Sequence, residues 1–378
     1  MTSAFYLFRD APHRRAALEQ EPGTPARYSL YGMDQLVERG VAVRHNLERS
    51  GPPPPWARLL GAALKRALER AGGYGGDFAT VLASLRGMNR ADVVFSTVDT
   101  VGIPLMLSGR GRLVRRPFVY TAIGLPERLA TLGSPRMRTL YARALGTSAT
   151  ILAYSEHEAE ELGRWLRERR ADVPVEFVPF GVDVDAFRPT GESPELDVVS
   201  IGADPRRDFD LLVRVAGEMP HTTFAVVATA ERGRELSALP GNVSLETDLA
   251  FAEMRRRLET ARVVALPVQE NSYSGATTVL LQAMALGKPV VVTRTQAIAR
   301  GYGLVDGENC RLVPPGDPDA FAKALRGVLR DDWHARSLGG AARATVERDF
   351  TWERYADRLE SILRAAAAGR TGARSRNG

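Results

Sequence analysis

Two kinds of apolar pattern alternate along this chain. Short runs rich in β-branched and aromatic residues are followed by longer stretches in which leucine and alanine recur at helical spacing. The short runs predict strands at AFYLF, VAVRHN, DVVFST, PFVYTA, TILAYS and VEFVPF in the first half. In the second half they predict strands at LDVVSIG, TTFAVVAT, NVSLET, RVVALPV and KPVVVT. Strand–helix alternation of this kind builds parallel sheets covered by helices, so the fold class is α/β. Both sets read as open, doubly wound, Rossmann-like sheets. Between them lies FGVDVDAFRPTGESPELD (180–197), rich in turn formers and without periodicity, and the domain join is placed there. The expected domains are 1–185 and 186–350. No internal repeat at a solenoid period is found.

Two segments stand apart. SGPPPPW (50–56) reads as a stiff polyproline insert before a helix, and the polar, basic tail AAGRTGARSRNG (367–378) as disorder. The helix predicted from Ala57 to Ala71, ARLLGAALKRALERA, is amphipathic and basic. It suits an anionic membrane surface, or it packs its leucine face on the first sheet; the second is the commoner use of such a helix.

Composition narrows the function. A chain of 378 residues suggests about two domains, and 44% apolar with 25% charged residues is ordinary for a globular protein. No run approaches the roughly 18 apolar residues of a spanning helix. The N-terminus, MTSAFYLFRDAPHRR, lacks the order of a signal peptide, so the expected location is cytoplasmic, with membrane contact at most peripheral. Cys310 is the only cysteine, which excludes an internal disulfide and a multi-cysteine metal site. The five histidines (13, 45, 157, 221, 334) lack metal-ligand spacing. The net charge of +6 comes from 48 arginines and 3 lysines spread along the whole chain. Without a nucleic-acid motif, this favours anionic small molecules or a membrane surface over nucleic acid.

Open parallel sheets bind ligands at the carboxyl ends of their strands, and two such domains in tandem are expected to face one another across a cleft. After RVVALPV (262–268) comes the loop QENSYSG, then a helix starting near Gly275. A helix N-terminus offers unpaired N–H groups and the positive end of the macrodipole to a phosphate. Gly275 and Ala276 allow close approach, and Ser274, Thr277 and Thr278 add hydroxyls. The competing reading is that Ser274 or a threonine merely caps the helix. A second strand-end loop, GADPRRDFDLL (202–212), carries Arg206 and Arg207. Guanidinium groups pair well with phosphate, but taken alone the pair reads better as solvated charges or as salt-bridged to Asp204, Asp208 and Asp210. GYGLVDG (301–307) has the wrong spacing for a dinucleotide fingerprint. SEHEAEE (155–161) is no zinc helix, and Ser155 with Glu158 reads as a capping box.

Taken in order, these pieces resemble glycosyltransferase family 4, retaining enzymes of the GT-B fold. The resemblance rests on ILAYSEHEAEEL, FVPFGVDVDAFRP (177–189), LLQAMALGKPVVVT, DGENCRLVPPGDPDAFAKAL (306–325) and DFTWERYADRLESIL (349–363). It covers roughly 150–363 strongly and 1–149 weakly. It implies a nucleotide-diphospho-sugar donor (UDP-, GDP- or dTDP-linked) on the second domain and an acceptor on the first. It also implies a closing helix (351–366) that crosses back, and no divalent metal or other cofactor. Arg207 sits where the family has a lysine on the diphosphate; Ala203 holds the usual arginine position, so Arg206 substitutes. The family's two glutamates, separated by seven residues, become Ser274 and Gln282. Gln282 is then expected on the donor ribose, with Ser274 and Glu270 toward the donor sugar. The histidine usual after FVYT is missing, which leaves Thr121, Gly124 and Glu127 as acceptor-side candidates.

The expected function is retaining transfer of a sugar to a hydroxyl of a small molecule, in natural-product (antibiotic) biosynthesis. The alternatives are cell-envelope glycan or glycolipid synthesis, and a catalytically degenerate accessory subunit that binds nucleotide. A nucleotide-sugar 2-epimerase is disfavoured, because no cluster of carboxylates and histidines serves its acid–base steps.

Overall fold

The structure is a computed structural model that describes residues 2–236, 238–273 and 275–374. It divides into two compact units: Met1–Val178 together with the chain from Tyr355 onward, and Pro179–Arg354. The sequence puts the corresponding boundaries at 185 and 350, a few residues away from these.

The first unit holds a six-stranded, all-parallel sheet. Its strands are β1 (Ser3–Leu7), β2 (Ala42–His45), β3 (Val93–Ser96), β4 (Phe118–Ala122), β5 (Thr150–Ala153) and β6 (Val175–Phe177), in the order β2-β1-β3-β4-β5-β6. The second unit repeats the plan with β7 (Leu196–Ile201), β8 (Phe224–Ala228), β9 (Val243–Thr247), β10 (Ala261–Leu266), β11 (Val290–Thr293) and β12 (Arg311–Val313). Their order is β12-β11-β10-β7-β8-β9, again all parallel. Helices cover both faces of a sheet wound in this way, so central strands are buried on both sides and read as unbroken apolar runs. β3, β4, β5, β8 and β11 are buried at every residue. The edge strands β2, β6, β9 and β12 are only partly covered and carry the polar residues.

The helix Thr277–Ala285 ends at Gly287, whose φ of 66° lies in the left-handed region. The helix Asp332–Asp349 packs on that turn through Gly339, where a Cβ would overlap the Gly287 carbonyl. The final helix runs Trp352–Arg374. The expected disorder from 367 is therefore corrected as far as 374, and 375–378 lie outside the described residues. Tyr355, Ala356, Leu359 and Leu363 are buried, and Tyr355 shares a 2.9 Å hydrogen bond with Tyr154.

The amphipathic helix runs Pro55–Arg70 and starts on a proline, which suits a first helical position. It does not pack on the sheet as expected. Ala57, Leu64 and Leu68 lie against Phe78 and Leu82 of the helix Phe78–Met88. Gly61 makes the approach possible, because a Cβ there would come within 2.7 Å of the Ala79 nitrogen. Trp56, Leu59 and Leu60 are left in solvent, 55, 75 and 46% exposed. Among the described residues, no helix is long and apolar enough to cross a membrane.

Candidate functional site

In the second sheet β7 has β8 on one side and β10 on the other, so the winding reverses between β7 and β10. The loops leaving these two strands cannot cover the gap between them, and this is where doubly wound sheets bind ligands. Here the loops are 202–208 and 267–276. They are joined by a bridge between Arg207 and Val268, and by bonds from the Asp208 amide to the Pro267 carbonyl (3.0 Å) and the Gln269 amide to the Arg206 carbonyl (2.8 Å). Asp208 caps the helix Phe209–Gly217 by accepting from the Leu211 amide, which fixes the far end of the first loop.

Arg207 is only 1% exposed. Its Nη2 donates to the Ile201 carbonyl at 2.8 Å, while among the described residues its Nε and Nη1 have no hydrogen-bond partner. The guanidinium lies over Gly202, where any Cβ would overlap it. Burial pushes its pKa down to about 10, with Asp204 opposing the shift, so it stays charged at neutral pH. A buried cation with two idle donor nitrogens is costly unless an anion completes it. This disposes of the solvated reading for Arg207. Arg206 is half-buried, and its amide donates to Asp204 Oδ1 at 2.7 Å.

Facing this loop, the helix Thr277–Ala285 begins after Ala276 with no side-chain cap among the described residues. The capping reading therefore fails for the threonines; Ser274 lies outside the described residues. Thr277 is 3% and Gln282 2% exposed, and among the described residues Thr277 Oγ1 and Gln282 Oε1 are buried without a partner. Thr278 is half-buried and Ala276 buried. Gly275 sits against Asp204: a Cβ there would come within 2.8 Å of the carboxylate. Glu270 is exposed, and its Oε1 accepts from the amides of Asn271 (3.3 Å) and Gln296 (2.9 Å), pinning the loop beside Thr295.

In the first sheet the reversal falls between β1 and β3. Thr121 lies near the end of β4, one strand further along, and Gly124 and Glu127 follow that strand. Thr121 is fully buried, with Oγ1 unpartnered among the described residues. Gly124 has a φ of 77° and opens the helix Leu125–Ala130, and Glu127 is half-buried on that helix.

The profile of "Glycosyl transferases group 1" matches residues 196–331, most of the second unit. A D-inositol 3-phosphate glycosyltransferase of Mycolicibacterium paratuberculosis is 28% identical, over 90% of this chain and 85% of that protein. A GDP-mannose-dependent monoacylated alpha-(1-6)-phosphatidylinositol monomannoside mannosyltransferase of Corynebacterium glutamicum is 25% identical, over 59% of this chain and 64% of that protein. Among solved structures, sucrose-phosphate synthase of Thermosynechococcus elongatus superposes with a TM-score of 0.71 at 18% identity, covering 97% of this chain and all of that one. HepE of Anabaena, in complex with UDP and glucose, gives 0.67 at 15% identity with the same coverage. Residues 196–331 form a group 1 glycosyltransferase domain, and the chain has the GT-B fold.

Two features of this glycosyltransferase escape a reading of its sequence. One is the carboxylate of Asp204, which the fold brings to a helix terminus that carries no acid of its own. The other is a buried network behind the acceptor-side candidates. Glu158 is 1% exposed, and Oε1 accepts from the amides of Gly124 (2.7 Å) and Leu125 (3.0 Å). The expected capping box is thus half made: Ser155 accepts from the Glu158 amide, but the Glu158 carboxylate serves another loop. Asp99, 2% exposed, accepts from Tyr120 Oη (2.6 Å), the Ile123 amide (3.3 Å) and Arg128 Nε (3.2 Å). Burial pushes Asp99 up to about 6 against the pull of these partners, and pushes Glu158 well above its ordinary value, with Asp99 adding to the rise.

Proposed function

We propose that this glycosyltransferase moves a sugar, with retention of configuration, from a nucleotide-diphospho-sugar to a hydroxyl of an inositol- or lipid-linked acceptor of the cell envelope. The observation that carries the donor half is Arg207: a buried, charged guanidinium with two nitrogens that have no partner among the described residues, at the winding reversal, across from a helix N-terminus that no described side chain caps. An anion of fixed shape, a diphosphate, satisfies both. Arg207 and the amides at Gly275–Thr278 hold the diphosphate, Arg206 supports them, and Gln282 Oε1 accepts from a ribose hydroxyl. Glu270 lies toward the sugar. Thr121, Gly124 and Glu127 line the acceptor side.

The acceptor oxygen forms its bond to the anomeric carbon as the bond to the β-phosphate breaks, and the hydroxyl proton passes to the departing phosphate. No enzyme nucleophile is needed. Arg207 and the helix dipole stabilise the growing charge on the phosphate, the part a metal ion plays elsewhere. Relatives named for inositol and phosphatidylinositol acceptors favour the envelope reading over a natural-product one. The test incubates the protein with UDP-, GDP- and dTDP-sugars and an inositol phosphate or phosphatidylinositol acceptor, with EDTA throughout. Transfer that persists in EDTA is expected. Tight nucleotide binding without turnover would return the accessory-subunit reading, and rescue only by magnesium or manganese would defeat the charge-compensation reading.

A lipid-linked acceptor places the enzyme at a membrane surface, and the helix Pro55–Arg70 is suited to that contact. Trp56, Leu59 and Leu60 project into solvent among Arg58, Lys65, Arg66 and Arg70, and Glu69 is the helix's sole acid. Apolar side chains enter the headgroup boundary, while each basic residue near an anionic surface contributes about 1 kcal/mol. The protein should co-sediment with vesicles containing phosphatidylinositol and far less with phosphatidylcholine alone. The triple variant Trp56→Ser, Leu59→Ser, Leu60→Ser should lose this binding yet keep its melting temperature, since none of the three packs in the core. Equal sedimentation of parent and variant would remove the helix from the interface.

A further inference from the structure

The site that should receive the donor's negative charge already holds a negative group. Asp204 comes from the loop after β7, and its carboxylate lies on Gly275 at the start of the helix Thr277–Ala285. Glycine there is what admits it, because a Cβ would stand 2.8 Å from Cγ and Oδ2. Oδ1 accepts from the Arg206 amide at 2.7 Å and from Tyr273 Oη at 3.0 Å. Asp204 also acts on Arg207, raising its pKa against the effect of burial, while Nε and Nη1 of that guanidinium have no partner among the described residues. The buried Thr277 Oγ1 on the first turn, unpartnered among the described residues, is a further donor awaiting an acceptor.

A carboxylate and a phosphate are both compact oxyanions, and they compete for the same donors. We propose that Asp204 is a placeholder for a donor phosphate. It satisfies the Arg206 amide and the Tyr273 hydroxyl while the site is empty, keeps both pointed at the helix terminus, and yields them to a phosphoryl oxygen when the donor binds. Two like charges cannot share one helix terminus at contact distance without a large penalty. The side chain therefore swings outward on binding, and its displacement lowers the affinity for every nucleoside diphosphate alike. Asp204 is in this sense a specificity-setting residue: a ligand able to displace it must bring a full phosphate charge, so nucleosides and neutral sugars are poor entrants.

The inference rests on the donor site proposed above, and the test separates the two. Asp204→Asn keeps an acceptor oxygen for the Arg206 amide and Tyr273 Oη while removing the charge. Calorimetry with UDP, GDP and inorganic pyrophosphate should show binding tightened roughly tenfold, the scale of one screened contact between like charges. Uridine and guanosine should bind as to the parent. Asp204→Ala, checked for folding by circular dichroism, serves as the second variant and should also tighten the diphosphates. Unchanged or weaker diphosphate binding in both variants overturns the placeholder. So does a loss of binding seen only in magnesium, which would make Asp204 a cation ligand. If Arg207→Met weakens diphosphate binding and Asp204→Asn fails to tighten it, the placeholder falls and the donor site stands. If neither variant moves diphosphate affinity, the donor site itself is misplaced.

Discussion

Arg207→Met is expected to leave the protein at least as heat-stable as the parent while lowering its affinity for nucleoside diphosphates roughly 10- to 150-fold. The affinity loss follows from removing a charge-assisted contact, about 1.5–3 kcal/mol. The stability claim runs against the usual cost of changing a buried residue. Methionine fills nearly the same space over Gly202, so no large cavity opens. What disappears is a buried cation whose Nε and Nη1 have no partner among the described residues. Buried charges without a full set of partners destabilise the folded state, and replacing them with apolar side chains is often neutral or favourable. The one bond lost, from Nη2 to the Ile201 carbonyl, offsets part of the gain. A binding site that costs its own fold stability is the usual signature of a site shaped for a ligand. Thermal melts and calorimetry on the same preparation decide it: a drop of many degrees with unaltered diphosphate binding would make Arg207 a structural residue.

Glu158→Ala and Glu158→Gln should separate by several degrees in melting temperature, in opposite directions from the parent at pH 8. Alanine strands the buried amides of Gly124 and Leu125, each worth about 1–3 kcal/mol when left unpaired. Glutamine keeps an oxygen for both and discards the charge. The sign of the pH effect follows from the direction of the shifts. Both carboxyls hold their protons more tightly in the folded chain, so the stability they contribute is fully present below their ordinary values and is lost as pH rises. For Asp99 the loss runs from about 4 to about 6; for Glu158 it continues well above the ordinary carboxylate range. Glu158→Gln should therefore flatten the fall in melting temperature between pH 5 and pH 8. A parent that is equally stable at both values, and a glutamine variant that melts like alanine, would show that the carboxylate is ionised and required as such.

The strands were legible because a two-sided buried strand has to be apolar at every position. All eleven runs that stand out in the sequence form strands. β12 is the exception that shows the rule: it is a three-residue edge strand, Arg311–Val313, partly exposed at two positions, and only the resemblance points to it. Helix packing was less legible. The Pro55–Arg70 helix has an apolar arc wider than any one neighbour covers, so periodicity alone could not say which part is buried. At the candidate site, glycine loops and arginines can be seen in sequence, but burial cannot. Arg206 and Arg207 are adjacent and chemically alike, yet one is enclosed and the other only half so, because the bridge to Val268 turns Arg207 inward over Gly202. Asp204 with Gly275 and Glu158 with Gly124 are pairs far apart in the chain, and nothing local announces them.

The first unit is not a continuous stretch of chain. Its sheet is complete by Phe177, but Tyr355, Ala356, Leu359 and Leu363, which are buried, belong to the helix Trp352–Arg374, made only after the whole second unit. A nascent chain emerges from its N-terminus, and domains tend to fold as they appear. The second unit, Pro179–Arg354, is uninterrupted and can close as soon as it clears the ribosome. The first must wait, with Tyr154 lacking the Tyr355 hydroxyl and Gly32 uncovered, until the last helix arrives to lay Tyr355 over both. The part translated first is thus the part finished last, and during that interval its exposed apolar seam is the one a chaperone would have to guard.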